Sequence, residues 1–150
     1  MPKTAYAIGV DVGGTTISAV AVASDGSVIH RVSEPSEIGS WQRVLAAATR
    51  TTRKALTEVK WDDSGLLGIG FGVPGNIRRD GTCGIAPNLT DQSDYPIREK
   101  LQEQFSSPVK VVNDVNAAAF GEFTFGAGQG VSNFLMITIG TGIGGGVIVD

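Results

Sequence analysis

The chain has 150 residues, of which 41 % are hydrophobic and 18 % charged, with a net charge of −3, one cysteine and one histidine. That supplies the core of one ordinary domain and excludes disorder. No basic cluster points to nucleic acid, no apolar run approaches the ~20 residues of a membrane span, and Cys83 with His30 makes neither a disulfide nor a zinc site.

Residues Ala5 to Val22 read AYAIGVDVGGTTISAVAV. The short Val/Ile/Ala runs Ala5–Val10 and Ile17–Val22 predict strands around the loop Asp11-Val12-Gly13-Gly14-Thr15-Thr16. Paired glycines suit a tight turn or a close backbone approach by a ligand. Bare N–H groups can face an anion such as phosphate, and Asp11 offers oxygen to a hard cation such as Mg²⁺. The same residues equally describe a plain hairpin with a surface aspartate. Asp25-Gly26 is a turn and Ser27–Val32 a third strand. Ser40 caps a helix from about Trp41 to Val59, whose Trp41, Val44, Leu45, Ala48, Ala55, Leu56 and Val59 fall at helical spacing, with Trp41 in the core. Asp62-Asp63-Ser64-Gly65 breaks the chain, and Leu66–Gly72 reads as a buried strand turned by Val73-Pro74-Gly75.

Ile77–Ile85 reads as a hairpin about Asp80-Gly81, with Cys83 an inert thiol because no histidine lies near it in sequence. Ala86-Pro87-Asn88-Leu89 is a loop. Pro96 opens a helix with Ile97, Leu101 and Phe105 on one face. Val109–Val112 is a strand, and Asn113 onwards a helix. Gly126–Gly130 is a loop, Phe134–Ile139 a strand, Gly140–Gly146 a glycine loop and Val147–Val149 a final strand. The pattern is mixed α/β. Strand, glycine loop, strand occurs at 5–22 and again at 134–149, which suggests two lobes that each offer a glycine loop to one ligand.

Gly140-Thr141-Gly142-Ile143-Gly144-Gly145 matches G-x-G-x-x-G. A dinucleotide fold needs a helix straight after it and an acid about 20 residues on. A strand follows instead, and the chain holds no P-loop. What remains is a glycine hairpin loop suited to phosphate, with Thr141 as a hydroxyl donor. Asp114 lies where a strand meets a helix: either a helix cap or a general base at the carboxyl end of a strand. Phosphoryl transfer to a hydroxyl needs such a carboxylate, bound phosphates and Mg²⁺; the chain has candidates for all three.

Taken together, Asp11-Val12-Gly13-Gly14-Thr15, Gly72-Val73-Pro74-Gly75, Pro87-Asn88-Leu89, Asn113-Asp114-Val115-Asn116-Ala117-Ala118 and Gly140–Gly146 resemble the ROK family (repressor, open reading frame, kinase) in family order over essentially the whole chain. These are bacterial and archaeal sugar kinases and sugar-sensing repressors with the actin/hexokinase/Hsp70-type ATPase fold. The resemblance implies an α/β, ribonuclease H-like lobe with a mixed sheet and flanking helices. It implies that Asp11, Gly13, Gly14, Thr15 and Thr16, with Gly140, Thr141, Gly142, Gly144 and Gly145, hold the phosphates of ATP. Mg²⁺ would sit at Asp11, directly or through water. Asp114 would be the catalytic base, and Gly75, Asn88, Asn113 and Asp114 would contact the sugar. The implied reaction is ATP-dependent phosphorylation of a glucose-type hexose at its 6-hydroxyl. The implied setting is a cytoplasmic enzyme, a homo-oligomer (dimer) at full length, with no nucleic acid or membrane partner.

The chain departs from the family at Thr16, where Lys is frequent, and near Ala19 and Val20, where Gly is frequent. Family members are roughly twice this length. Residues 1–120 are therefore expected to form the N-terminal lobe and 121–150 the start of the C-terminal lobe. The adenosine pocket, the family's structural zinc site and much of the sugar site are expected beyond residue 150, and these 150 residues alone are expected to be inactive. One rival reading is a sugar-responsive repressor or a non-catalytic sugar-binding protein. The family's repressors carry a winged helix before the first strand, for which a strand beginning at Ala5 leaves no room, and the intact Asp114 argues for chemistry. The other rival, a non-sugar ATPase of the same fold, fits poorly with Pro87-Asn88-Leu89 and Asn113-Asp114.

Overall fold

The computed structural model describes residues 5–59, 65–140 and 142–150; most of the expected break at 62–65, and Thr141, lie outside them. Strand β1 (Tyr6–Val12) pairs antiparallel with β2 (Thr16–Ala23), and β2 antiparallel with β3 (Val28–Pro35). Helix α1 (Trp41–Val59) leads to β4 (Leu66–Val73), parallel to β1. The short α2 (Ile97–Gln102) leads to β5 (Val109–Asn113), parallel to β4. The sheet order is β3-β2-β1-β4-β5. Helix α3 (Asp114–Phe125) follows directly, then the separate antiparallel hairpin β6 (Phe134–Ile139) and β7 (Ile143–Ile148).

Alternation makes the sheet two-faced. Tyr6, Ile8, Val10 and Val12 of β1 and Ile17, Ala19 and Ala21 of β2 are buried in one core with Trp41, Val44, Leu45, Ala48 and Ala55 of α1. Buried hydroxyls on α1 are satisfied locally, Thr51 Oγ1 donating to Ala47 O (3.0 Å) and Thr52 Oγ1 to Ala48 O (2.7 Å). Trp41 is a core residue: its Nε1–H donates to Gln92 O (3.1 Å) and its ring stacks on Tyr95. Arg43 N–H reaches the expected cap, Ser40 Oγ, at 3.4 Å. Phe105 lies beyond α2 but packs on Phe71. Cys83 is free and buried, and burial pushes its thiol up.

Two expectations are corrected. Ile77–Ile85 forms isolated bridges, Ile77 with Cys83 and Cys83 with Tyr95, rather than paired strands, although Arg78 N–H to Thr82 O (2.9 Å) keeps the turn about Asp80-Gly81. The second glycine loop is shorter than Gly140–Gly146, because β7 begins at Ile143 and takes in Gly144, Gly145 and Gly146. These glycines pair with Thr138, Ile137 and Met136 of β6, and the close approach of α3 accounts for two of them being glycine. A Cβ on Gly144 would lie 2.6 Å from Val115 Cγ2, and one on Gly146 2.4 Å from Ala119 Cβ. Helix α3 also runs unbroken across residue 120, the expected lobe border.

Candidate active site

The opposite face of the sheet carries the polar residues. Pairing aligns Ser33, Ser18, Asp11, Gly72 and Val112 across the five strands. At Gly72 the sheet and α3 meet in ordinary contact: a Cβ there would lie 3.4 Å from Asp114 Cα and 3.7 Å from Ala117 Cβ. A cleft of about 850 Å³ results, with Asp11, Ser18, Arg31, Gly72, Asp114 and Thr138 among its lining residues. Asp11, lining the cleft, has a carboxyl above its ordinary range: partial burial, which costs it hydration, pushes it up most, the nearby Asp114 charge adds to this, and Arg31 pulls it down.

Helix α3 opens without using Asp114 as its cap. Asn113 is the cap: its Oδ1 accepts from Asn116 N–H (3.1 Å), and its Nδ2 donates to Gly75 O (3.1 Å). Both ends of the Asn113 amide are thereby engaged. Asp114 occupies the first helical position, accepts only from its own neighbour Val115 N–H (2.9 Å) among the described residues, and lines the cleft. Two carboxylates close enough to raise the proton affinity of one of them form an environment that a hard cation relieves. No cluster of three or more acidic, His or Cys ligands exists among the described residues. Mg²⁺ is satisfied with one or two carboxylates plus phosphate and water, so Asp11 fits it, with the Asp114 charge in the same cleft.

The first glycine loop is a tight β1–β2 turn closed by Gly13 N–H to Thr16 O (3.0 Å). It abuts the loop that carries Asn88, since a Cβ on Gly14 would lie 3.3 Å from Asn88 O. Gly75 sits at φ +116, where a Cβ would lie 2.2 Å from Ile85 O, so a side chain is excluded there. Gly140 and Gly142 form the exposed tip of the β6–β7 hairpin, with Gly140 N–H donating to Gly142 O (2.9 Å). Gly144 is turned to α3 and Gly145 is exposed on the other side. Asp11 and Asp114 thus share a cleft, which the second hairpin reaches through Thr138. Sequence reading missed Ser18, Arg31 and Thr138. The available signal was strand parity: Ser18 pairs with Asp11 and alternates with buried Ile17 and Ala19, and Arg31 precedes buried Val32.

Residues 7–150 match the ROK family along their length. The chain belongs to that family. A glucokinase of Streptomyces coelicolor is 37 % identical over 145 residues, covering 95 % of this chain and 43 % of the relative. A xylose repressor of Caldicellulosiruptor bescii is 35 % identical over 145 residues, covering 95 % of this chain and 36 % of the relative. Among solved structures, a ROK family glucokinase from Streptomyces griseus in complex with glucose and AMPPNP superposes with a TM-score of 0.77 at 33 % identity, over 96 % of this chain and 44 % of that one. The chain spans less than half the length of these relatives. Its mixed sheet with flanking helices is that of ROK kinases and accords with the actin/hexokinase-like ATPase fold. No helix among the described residues is long and apolar enough to cross a membrane.

Proposed function

We propose that these residues belong to an ATP-dependent hexose kinase, acting on a glucose-type sugar at its 6-hydroxyl. One observation carries the reading: Asn113 caps α3, which leaves the Asp114 carboxylate uncommitted as a cap and facing the cleft it shares with Asp11. In this reading Asn88, Asn113 and Gly75 border the sugar, with Asn113 acting through its hold on Gly75. Asp114 orients the hydroxyl and accepts its proton as the oxygen attacks the γ-phosphate. The N–H groups of Gly14 and Thr15, in the turn closed by Gly13 and Thr16, bind phosphate oxygens, as does the Gly140–Gly142 tip, and the backbone of Gly144 and Gly145 lies at the start of the adjoining strand. Asp11 would hold Mg²⁺, which supplies charge neutralisation to the phosphates.

The reading also assigns 1–120 to one lobe and 121–150 to the beginning of a second, in a cytoplasmic dimer. A lone buried cysteine suits a reducing compartment. The similarity to a xylose repressor favours one alternative, a sugar-responsive regulator built on the same lobe. A coupled assay of the full-length protein with Mg²⁺·ATP across common hexoses and N-acetylated amino sugars separates the two. Turnover on at least one hexose supports the kinase, and no turnover on any supports the regulator.

A further inference from the structure

We infer that Ser36 is a positioning residue for the first glycine loop, and that the strap 36–39 ties that loop to the one bearing Asn88. What the two loops bind rests on the kinase reading above; the tie itself is a matter of hydrogen bonds. Just past β3, Ser36 makes two bonds to the glycine loop: its N–H donates to Thr15 O (2.9 Å) and its Oγ–H to Gly13 O (2.5 Å). With Gly13 N–H on Thr16 O, the carbonyls of Gly13, Thr15 and Thr16 all have donors from the protein. The N–H groups of Gly14 and Thr15 have no acceptor among the described residues. A turn whose carbonyls are drawn off and whose amides are left over is an anion cradle. Ser36 supplies two of those three donors, its Oγ–H to Gly13 O and its N–H to Thr15 O.

Three residues on, the same strap grips the second loop. Gly39 N–H donates to Leu89 O (2.7 Å), and Thr90 Oγ1 donates to Gly39 O (3.4 Å). Leu89 N–H in turn closes the turn around Asn88 by donating to Ala86 O (2.9 Å). The two loops also touch directly, Gly14 against the Asn88 carbonyl. A displacement of the glycine loop therefore reaches Asn88 by two routes. Coupling of this kind is reciprocal, so occupancy of either loop biases the other.

The test compares Ser36→Ala, which deletes the Oγ bond and keeps the N–H bond, with Ser36→Thr, which keeps both. In the full-length protein, Ser36→Ala is expected to weaken Mg²⁺·AMPPNP binding about 3- to 10-fold, the span of one lost hydrogen bond. It is also expected to weaken glucose binding measured without nucleotide by a smaller factor, and Ser36→Thr restores both. A serine that only cradles phosphate would leave nucleotide-free glucose binding untouched, and that result overturns the strap; unchanged binding of both ligands overturns the positioning role as well. If the wild-type protein binds neither AMPPNP nor any hexose, the kinase reading falls, and the strap is then judged by amide chemical shifts. In Ser36→Ala, shifts at 88–90 together with 13–16 support it, and shifts confined to 13–16 refute it.

Discussion

The β1–β2 and β6–β7 hairpins share one outline, two apolar strands about a glycine turn, and are buried in opposite ways. The first lies inside a five-stranded sheet with α1 against one face, and Ile17 is fully buried. The second is a two-stranded sheet with α3 on one face and nothing among the described residues on the other. Leu135, Ile137, Ile139, Ile143 and Val147 are all exposed there, Ile137 by 61 %. Two strands alone are marginal in water, so the second hairpin depends on α3 for its position. The glycines differ to match. Gly9 of β1 has room, with a Cβ 3.4 Å from Val20 Cγ2, whereas Gly144 and Gly146 of β7 are pressed by Val115 and Ala119. Apolar pattern alone does not tell a central hairpin from a peripheral one; the difference lies in what packs on it.

The largest effect should come from truncating the core around the first hairpin, set against a truncation on the outer face of the second. Phe71→Ala, in the core beside β1, should cost about 3–5 kcal/mol, whereas Ile137→Ala should stay within about 0.5 kcal/mol, both by denaturant unfolding. A large cost at Ile137 would mean that the outer face of the second hairpin is covered in solution. Next in size is a matched glycine pair. Gly146→Ala should cost about 1–3 kcal/mol by overpacking against Ala119 and should speed hydrogen exchange across β6–β7. Gly9→Ala should cost under about 1 kcal/mol. Equal costs at the two glycines would remove the contrast.

The smallest effect tests the first region alone. Burial pushes Glu34 up, but its hydrogen bonds from Arg50 and Thr51, with the charges of Arg50 and Lys54, outweigh this and leave its carboxyl below the ordinary range. A depressed folded value stabilises above the ordinary 4.5 and is lost as pH falls through the lowered value. Glu34→Gln should therefore cost a few tenths of a kcal/mol at neutral pH, with the gap to wild type closing on acidification. A gap that persists in acid would assign the cost to packing.

Most of the first region was legible in the sequence because local signals agreed with the fold. Short apolar runs gave β1, β2 and β4, Ser40 with a helical apolar stripe gave α1, and β6 fell on Phe134–Ile139 as expected. The start of β7 was not legible: three successive glycines read as a loop, whereas they pair with β6, and contact with α3 accounts for glycine at 144 and 146. At the site, Asp11 and Asp114 could be singled out by motif. Which residue caps α3 could not, because Asn113 and Asp114 are both good caps and the choice depends on the Asn113 bond to Gly75, 38 residues away in sequence. The same holds for Ser36, whose partners are in the glycine loop.

The central claim, that Asp114 acts as a base in the cleft it shares with Asp11, is tested most directly by Asp114→Asn in the full-length protein. The amide can still accept from Val115 N–H, so the start of α3 is kept. The hexose Kd should stay near the wild-type value while kcat falls about 10²- to 10⁴-fold. A kcat within a few-fold of wild type, with the hexose still bound, would contradict the account.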